Sequence, residues 1–168
     1  MDLGNPSQAT RDVTNADNFL VIKPQYALSY NNTLGRLNWA SWQLNQSWLG
    51  ETERQNDFRP DPTLPSDWPR ITPTLYRRSG YDRGHVVPSG DRTRSEADNS
   101  ATFLMTNVLP QSPDNNRGPW VDLENYARDL VEDGYGLYII AGGYGEKKAI
   151  AKGAVVCLLY TSPSPRDA

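Results

Sequence analysis

The 168-residue chain contains one cysteine, one histidine, three phenylalanines and two methionines. A single cysteine, Cys157, excludes an intramolecular disulfide framework and any cysteine-rich zinc site. A single histidine, His85, excludes every mechanism that needs two imidazoles. No run of 18 apolar residues occurs, so no membrane span can be read. Met1–Thr10 has neither the basic start nor the apolar core of a signal peptide, as in a mature or trimmed N-terminus. Lysine is scarce, four residues against 13 arginines. The net charge of −3 argues against a protein that clings to nucleic acid by bulk positive charge.

Five tryptophans, nine tyrosines and a 37% hydrophobic content are enough for one packed core at this length, and exclude a disordered chain. The charge is unevenly spread. Residues 70–94 hold Arg70, Arg77, Arg78, Arg83, Arg92 and Arg94 against only Asp82 and Asp91. Guanidinium forks match phosphate or carboxylate oxygens better than ammonium groups do. From composition alone, scattered surface charge is an equal reading.

The first third has β character. Phe19–Ile22 is a short apolar run, and Tyr26–Tyr30 and Leu37–Leu44 flank the turn-forming stretch Asn31–Arg36, which predicts a hairpin. Prolines crowd residues 60–73 and exclude helix or central strand there, so an ordered surface loop is expected. Ser95–Asn99 has the polar chemistry of a short helix start. Phe103–Leu109 is an apolar segment ending at Pro110. Trp120–Asp133 is the clearest helix, with an apolar stripe of Leu123, Ala127, Leu130 and Val131 and a stop at Gly134. Leu137–Ala141 then predicts a buried strand, and Val155–Tyr160 a last strand before a disordered end. No internal repeat is present.

The stretch Tyr81–Pro88 concentrates the chemistry. An imidazole titrates near neutral pH and can take a proton from water. Two residues before His85, Arg83 offers charge to a phosphate, and Gly84 admits a close ligand or backbone. Taken alone, one histidine in a polar loop is more often a surface or capping residue than a catalyst. Downstream, Asp114-Asn115-Asn116-Arg117 supplies amide oxygens just before the long helix, and Glu124 and Arg128 share one helix face at i and i+4. The bland alternative for that pair is a surface ion pair contributing roughly 0.3–0.5 kcal/mol. If the helix packs on the His85 segment, an amide, a carboxylate and two guanidiniums surround one imidazole. That set suits phosphodiester hydrolysis with Mg²⁺, an ion that keeps most of its waters.

Asp82-Arg83-Gly84-His85 followed by Pro88-Ser89-Gly90-Asp91-Arg92 resembles the signature of the DNA/RNA non-specific endonucleases of the ββα-metal type. Thr102–Asn107, Pro110–Arg117, Trp42–Asn45 and Glu53–Pro60 resemble the same family, most of all its secreted, sugar-non-specific members. The resemblance spans about residues 3–150. It implies an α+β fold, a twisted antiparallel sheet with a ββα-metal core. It implies His85 as the general base, Asn116 as the one direct protein ligand of a hydrated Mg²⁺ or Mn²⁺, and Glu124 holding that ion's water shell. Arg54, Arg83 and Arg128 are expected to face the scissile phosphate, Asp82 to support the site beside the metal waters, and Asn107 to sit in the cleft as a supporting residue. The implied substrates are single- and double-stranded DNA and RNA without base preference, since phosphate contacts carry no sequence information. Export to periplasm or medium and a cognate protein inhibitor are implied as well.

Members of the family continue past the strand at Leu137–Ala141, and from about Val156 the resemblance stops. A nuclease domain over 1–155 is therefore expected, lacking the C-terminal part of the family fold, with an unrelated tail over 156–168 from a truncated or chimeric reading frame. The alternative of another class is a nucleic-acid-binding module that does not cut because its sheet is incomplete. A third is an extracellular interaction domain meeting acidic partners through its arginine-rich loop. His85, Asn116 and Glu124 together count against that one, since a binding surface needs no proton acceptor or metal ligand.

Overall fold

The computed structural model describes residues 4–151 and 154–158. Strands β1 (Phe19–Ile22), β2 (Ala27–Asn31) and β3 (Arg36–Leu44) form an antiparallel meander, and β6 (Leu137–Ala141) joins it beside β3, in the order β1-β2-β3-β6. The β2–β3 turn is closed by Asn31 Oδ1, which accepts from the Leu34 amide at 2.8 Å, as expected of an Asn at a hairpin corner. β4 (Asp82–His85) and β5 (Val108–Gln111) make a separate antiparallel pair, followed by α2 (Pro113–Asn116) and α3 (Pro119–Glu132). That sequence of elements is the expected ββα unit. A short α1 (Glu96–Ala101) precedes β5, its Ser95 hydroxyl capping the Asp98 amide. β7 (Tyr144–Ala151) and β8 (Ala154–Leu158) pair with each other.

The main core lies between the meander and the ββα unit. Leu28, Tyr30, Leu37, Ala40, Trp42 and Leu44 meet Val86, Val87, Leu109, Ala127 and Val131 there. β3 is covered on both faces, which explains its imperfect alternation: Trp42 enters this core while Trp39 packs with Ala9 and Leu20. The proline-rich stretch is a wall of the core. Its Trp68 stacks on Tyr30 at 6.4 Å and meets Phe19 edge-on at 5.0 Å. Proline fixes that path without helix or ladder, and the buried Leu64 and Ile71 anchor it.

Two expectations need correction. Leu137–Ala141 forms a strand, but not a buried one: Tyr138 is 47% exposed and Ile140 39%, because they share a sheet face with Ser41 and Gln43, while Leu137, Ile139 and Ala141 turn to the core side with Trp42. On α3, Leu123 is 53% exposed, so the buried stripe narrows to Ala127 and Val131 with Leu130 half-buried. Gly134 does stop α3, at φ +96°, a conformation that favours glycine. The boundary expected at 155–156 falls within β8, and the tail over 159–168 lies outside the described residues.

Candidate active site

β4 and β5 build the floor. In their register Asp82 faces Gln111, Arg83 faces Pro110, Gly84 faces Leu109 and His85 faces Val108. Gly84 is required there, because a Cβ would stand 2.1 Å from Gln111 Oε1. Pro110 is tolerated inside a strand because β5 pairs only with β4 among the described residues, so the missing amide proton can face away from the partner.

His85 is 7% exposed and packs in a three-ring cluster with two phenylalanines that also touch each other. The Phe103 ring lies 4.7 Å away at 85° and the Phe58 ring 5.1 Å away at 46°. Guanidiniums cap both phenyl rings, Arg54 4.8 Å from the Phe103 centroid and Arg83 4.2 Å from that of Phe58. The buried Nε2 of His85 has no hydrogen-bond partner. Burial, then Arg54 and Arg83, push the imidazole down to about 3, so it is neutral at physiological pH and able to accept a proton. Unfolded, the same ring protonates near 6.5. The stability that a neutral His85 confers is thus complete above pH 6.5 and is lost as the pH falls towards 3. Because the chain has one histidine, a single imidazole signal reports this directly. In untagged protein NMR titration is expected to give a pKa well below 6.5, rising when Arg54 or Arg83 is replaced by Met. A wild-type midpoint at 6.5 would contradict the charge environment described here.

α3 is fastened to this floor by Trp120, whose indole Nε1 donates to the His85 carbonyl at 3.1 Å. One turn on, Glu124 is half-buried, and burial pushes its carboxyl up to about 7 against the opposing pull of Arg128 and Arg54. Arg54 therefore acts on both His85 and Glu124, and its Nη1 is positioned by Ser89 Oγ at 2.6 Å. At the other end of β4, Asp82 Oδ2 accepts from Asn116 Nδ2 at 3.0 Å and from Arg117 Nε at 2.8 Å. Its Oδ1 accepts from Arg117 Nη2, also at 2.8 Å. These bonds, the Arg117 pair first, hold the Asp82 carboxyl below its ordinary range. Arg54, Arg83, Asp82, Asn116 and Arg117 line one cleft of about 520 Å³.

Three expected site residues are placed differently. Glu124 lines a neighbouring cavity with Trp42, Asp91 and Trp120 rather than the cleft that holds Asn116. Asn107 does not open onto the cleft. It is completely buried, donating to the Val87 and Thr102 carbonyls and accepting from the Val87 amide, each at 2.9 Å. Its support is structural, pinning the chain just after His85. Asn107→Ala orphans three buried backbone groups and should cost on the order of 3 kcal/mol, read as a fall in Tm of about 10 °C. An unchanged Tm would contradict that role. Arg128, expected on the phosphate, donates to Asp91 Oδ1 at 2.8 Å and Asn125 Oδ1 at 2.7 Å. Asp91 is buried and also accepts from Trp42 Nε1 at 2.9 Å.

Other residues of the site were not singled out from sequence. Arg117, Phe58, Phe103, Asp91 and Trp120 lie inside or beside the motifs, but nothing local marks which of them turn inward. Arg92 belongs to the arginine-rich segment yet is fully buried, donating to the Gln25, Gln43 and Asp91 carbonyls and lying over the Trp48 ring at 4.2 Å. Part of the local positive charge is thus internal structure.

Residues 4–158 match the family model of the DNA/RNA non-specific endonucleases, and the chain belongs to that family. It is 59% identical over 153 residues to a nuclease of Nostoc sp., covering 91% of this chain and 56% of that protein. Human mitochondrial endonuclease G is 35% identical over 126 residues, covering 73% and 42% respectively. Among solved structures, an EndoG in complex with EndoGI superposes with a TM-score of 0.68 at 28% identity, covering 82% of this chain and 58% of that one. The chain spans about half the length of the relatives it matches.

Proposed function

We propose that this chain hydrolyses phosphodiester bonds in DNA and RNA, single- or double-stranded, without base preference. The observation that carries the reading is the neutral His85 imidazole packed against two phenyl rings, each capped by a guanidinium. His85 accepts the proton of the attacking water. Arg54 and Arg83 hold the scissile phosphate, and their charge is in place before the transition state forms. As phosphate neutralises those guanidiniums, one cause of the depressed His85 basicity weakens, bringing the base closer to the neutral range that proton transfer favours.

The donor set fits a hydrated hard cation. Among the described residues no group of three or more His, Cys, Asp or Glu is arranged to hold a metal ion. What the cleft offers is the Asn116 amide oxygen, left over once Nδ2 is bound to Asp82; the Glu124 carboxyl lines a neighbouring cavity with Asp91 and Trp120 and is coupled to the cleft through Arg54. One or two oxygen donors suit Mg²⁺ or Mn²⁺ with most waters retained. Asn116 would bind the ion directly and Glu124 through water, and the bound ion would stabilise charge on the leaving oxygen. With Mg²⁺ or Mn²⁺, plasmid DNA and RNA should both be degraded, and EDTA should abolish both reactions. Cleavage undiminished in EDTA would overturn the metal assignment.

Export and recognition by a protein inhibitor belong to the same proposal, the latter supported by the likeness to an EndoG solved with EndoGI. The edge position of β6 among the described residues favours a second reading, binding without turnover. Salt-sensitive retention of DNA with no cleavage at any metal concentration would select it.

A further inference from the structure

We propose that Arg117 is a positioning residue that decides which atom of the Asn116 amide faces the cation, acting through Asp82. The inference deepens the nuclease reading and rests on it. An ionised carboxylate only accepts hydrogen bonds, so the amide edge meeting Asp82 is the N–H edge. Asn116 Nδ2 accordingly donates to Asp82 Oδ2 at 3.0 Å, and the amide oxygen is turned away from Asp82. That oxygen is the only atom of the amide able to hold a hard cation.

Asp82 in turn needs fixing. Arg117 supplies Nε to Oδ2 and Nη2 to Oδ1, both at 2.8 Å, a two-point fork that sets the carboxylate plane. Without it the carboxylate rotates, and water can serve either edge of the Asn116 amide, so the flipped amide competes. The Arg117 side chain is 70% exposed, and such a pair adds little to stability. The effect of removing it therefore falls on orientation rather than on the fold. An amide set by a carboxylate, itself set by a guanidinium, is the kind of outer support that tunes metal sites.

The test is Mn²⁺ binding to the whole chain without nucleic acid, followed by the EPR signal of free Mn²⁺. Arg117→Ala is expected to weaken affinity by about 10–100-fold, with Tm within about 2 °C of the parent. Arg117→Lys, a single-point donor that cannot form the fork, is expected to recover only part of the loss. If Arg117 instead grips substrate, Arg117→Ala leaves Mn²⁺ affinity at the parent value and raises KM for DNA, and the inference is overturned while the nuclease reading stands. A parent chain that binds no Mn²⁺, or binds it equally after Asn116→Ala, overturns the metal site and this inference with it.

Discussion

His85→Ala is expected to slow cleavage of plasmid DNA and of RNA alike by about 10²–10⁴-fold, the range for loss of a general base. The equal effect on both substrates matters, because a residue reading sugar or base would split them. Truncating a side chain packed against the touching rings of Phe58 and Phe103 also leaves a void. The buried Nε2 has no partner, however, so no hydrogen-bonding group is orphaned by its loss. His85→Gln fills most of the void and cannot act as a base near neutral pH, so it should be folded and equally slow. Turnover at the parent rate in either folded variant would remove His85 from the mechanism.

Arg128→Ala is expected to reduce both stability and activity, and the two losses can be separated. Asp91 has a 1% exposed side chain and Arg128 a 21% exposed one. Removing the guanidinium strands a buried carboxylate, for which about 3–5 kcal/mol is typical, or a Tm lower by roughly 6–20 °C in a chain of this size. Asp91 is already hard to ionise, since burial raises its pKa against the pull of Trp42 and Arg128. Asp91→Asn combined with Arg128→Met should therefore recover most of the stability, because no carboxylate is left stranded at position 91. If activity also returns, Arg128 serves only to hold Asp91. If the double variant is stable and slow, Arg128 acts on the phosphate as well, through donors that Asp91 and Asn125 do not occupy.

The two arginines flanking the imidazole and the one on α3 show where local reading stops. Asp82 to His85 could be singled out because four unusual residues adjoin, and Glu124 with Arg128 because helical spacing puts them on one face. The hairpin over residues 27–44, the capped helix at Ser95 and the stop at Gly134 were equally open to inspection, since turns and caps depend on neighbours within a few positions. Asn107 and Arg92 were not, because full burial is a property of the packed chain. An asparagine beside a catalytic motif has the same letter whether it faces a cleft or a backbone. The half-exposed state of β6 was hidden for the same reason: an apolar run does not say which of its side chains the rest of the fold will cover.

By itself, then, the order of residues determined an α+β fold, one available imidazole, and a short roll of amides, carboxylates and guanidiniums suited to phosphate chemistry. Only tertiary contact decided which of these meet. The phenyl rings that keep His85 neutral, the fork that holds Asp82 and the buried partner that engages Arg128 all join residues 18 or more positions apart. Electrostatic shifts depend on distance and burial, and a linear chain specifies neither until it has folded.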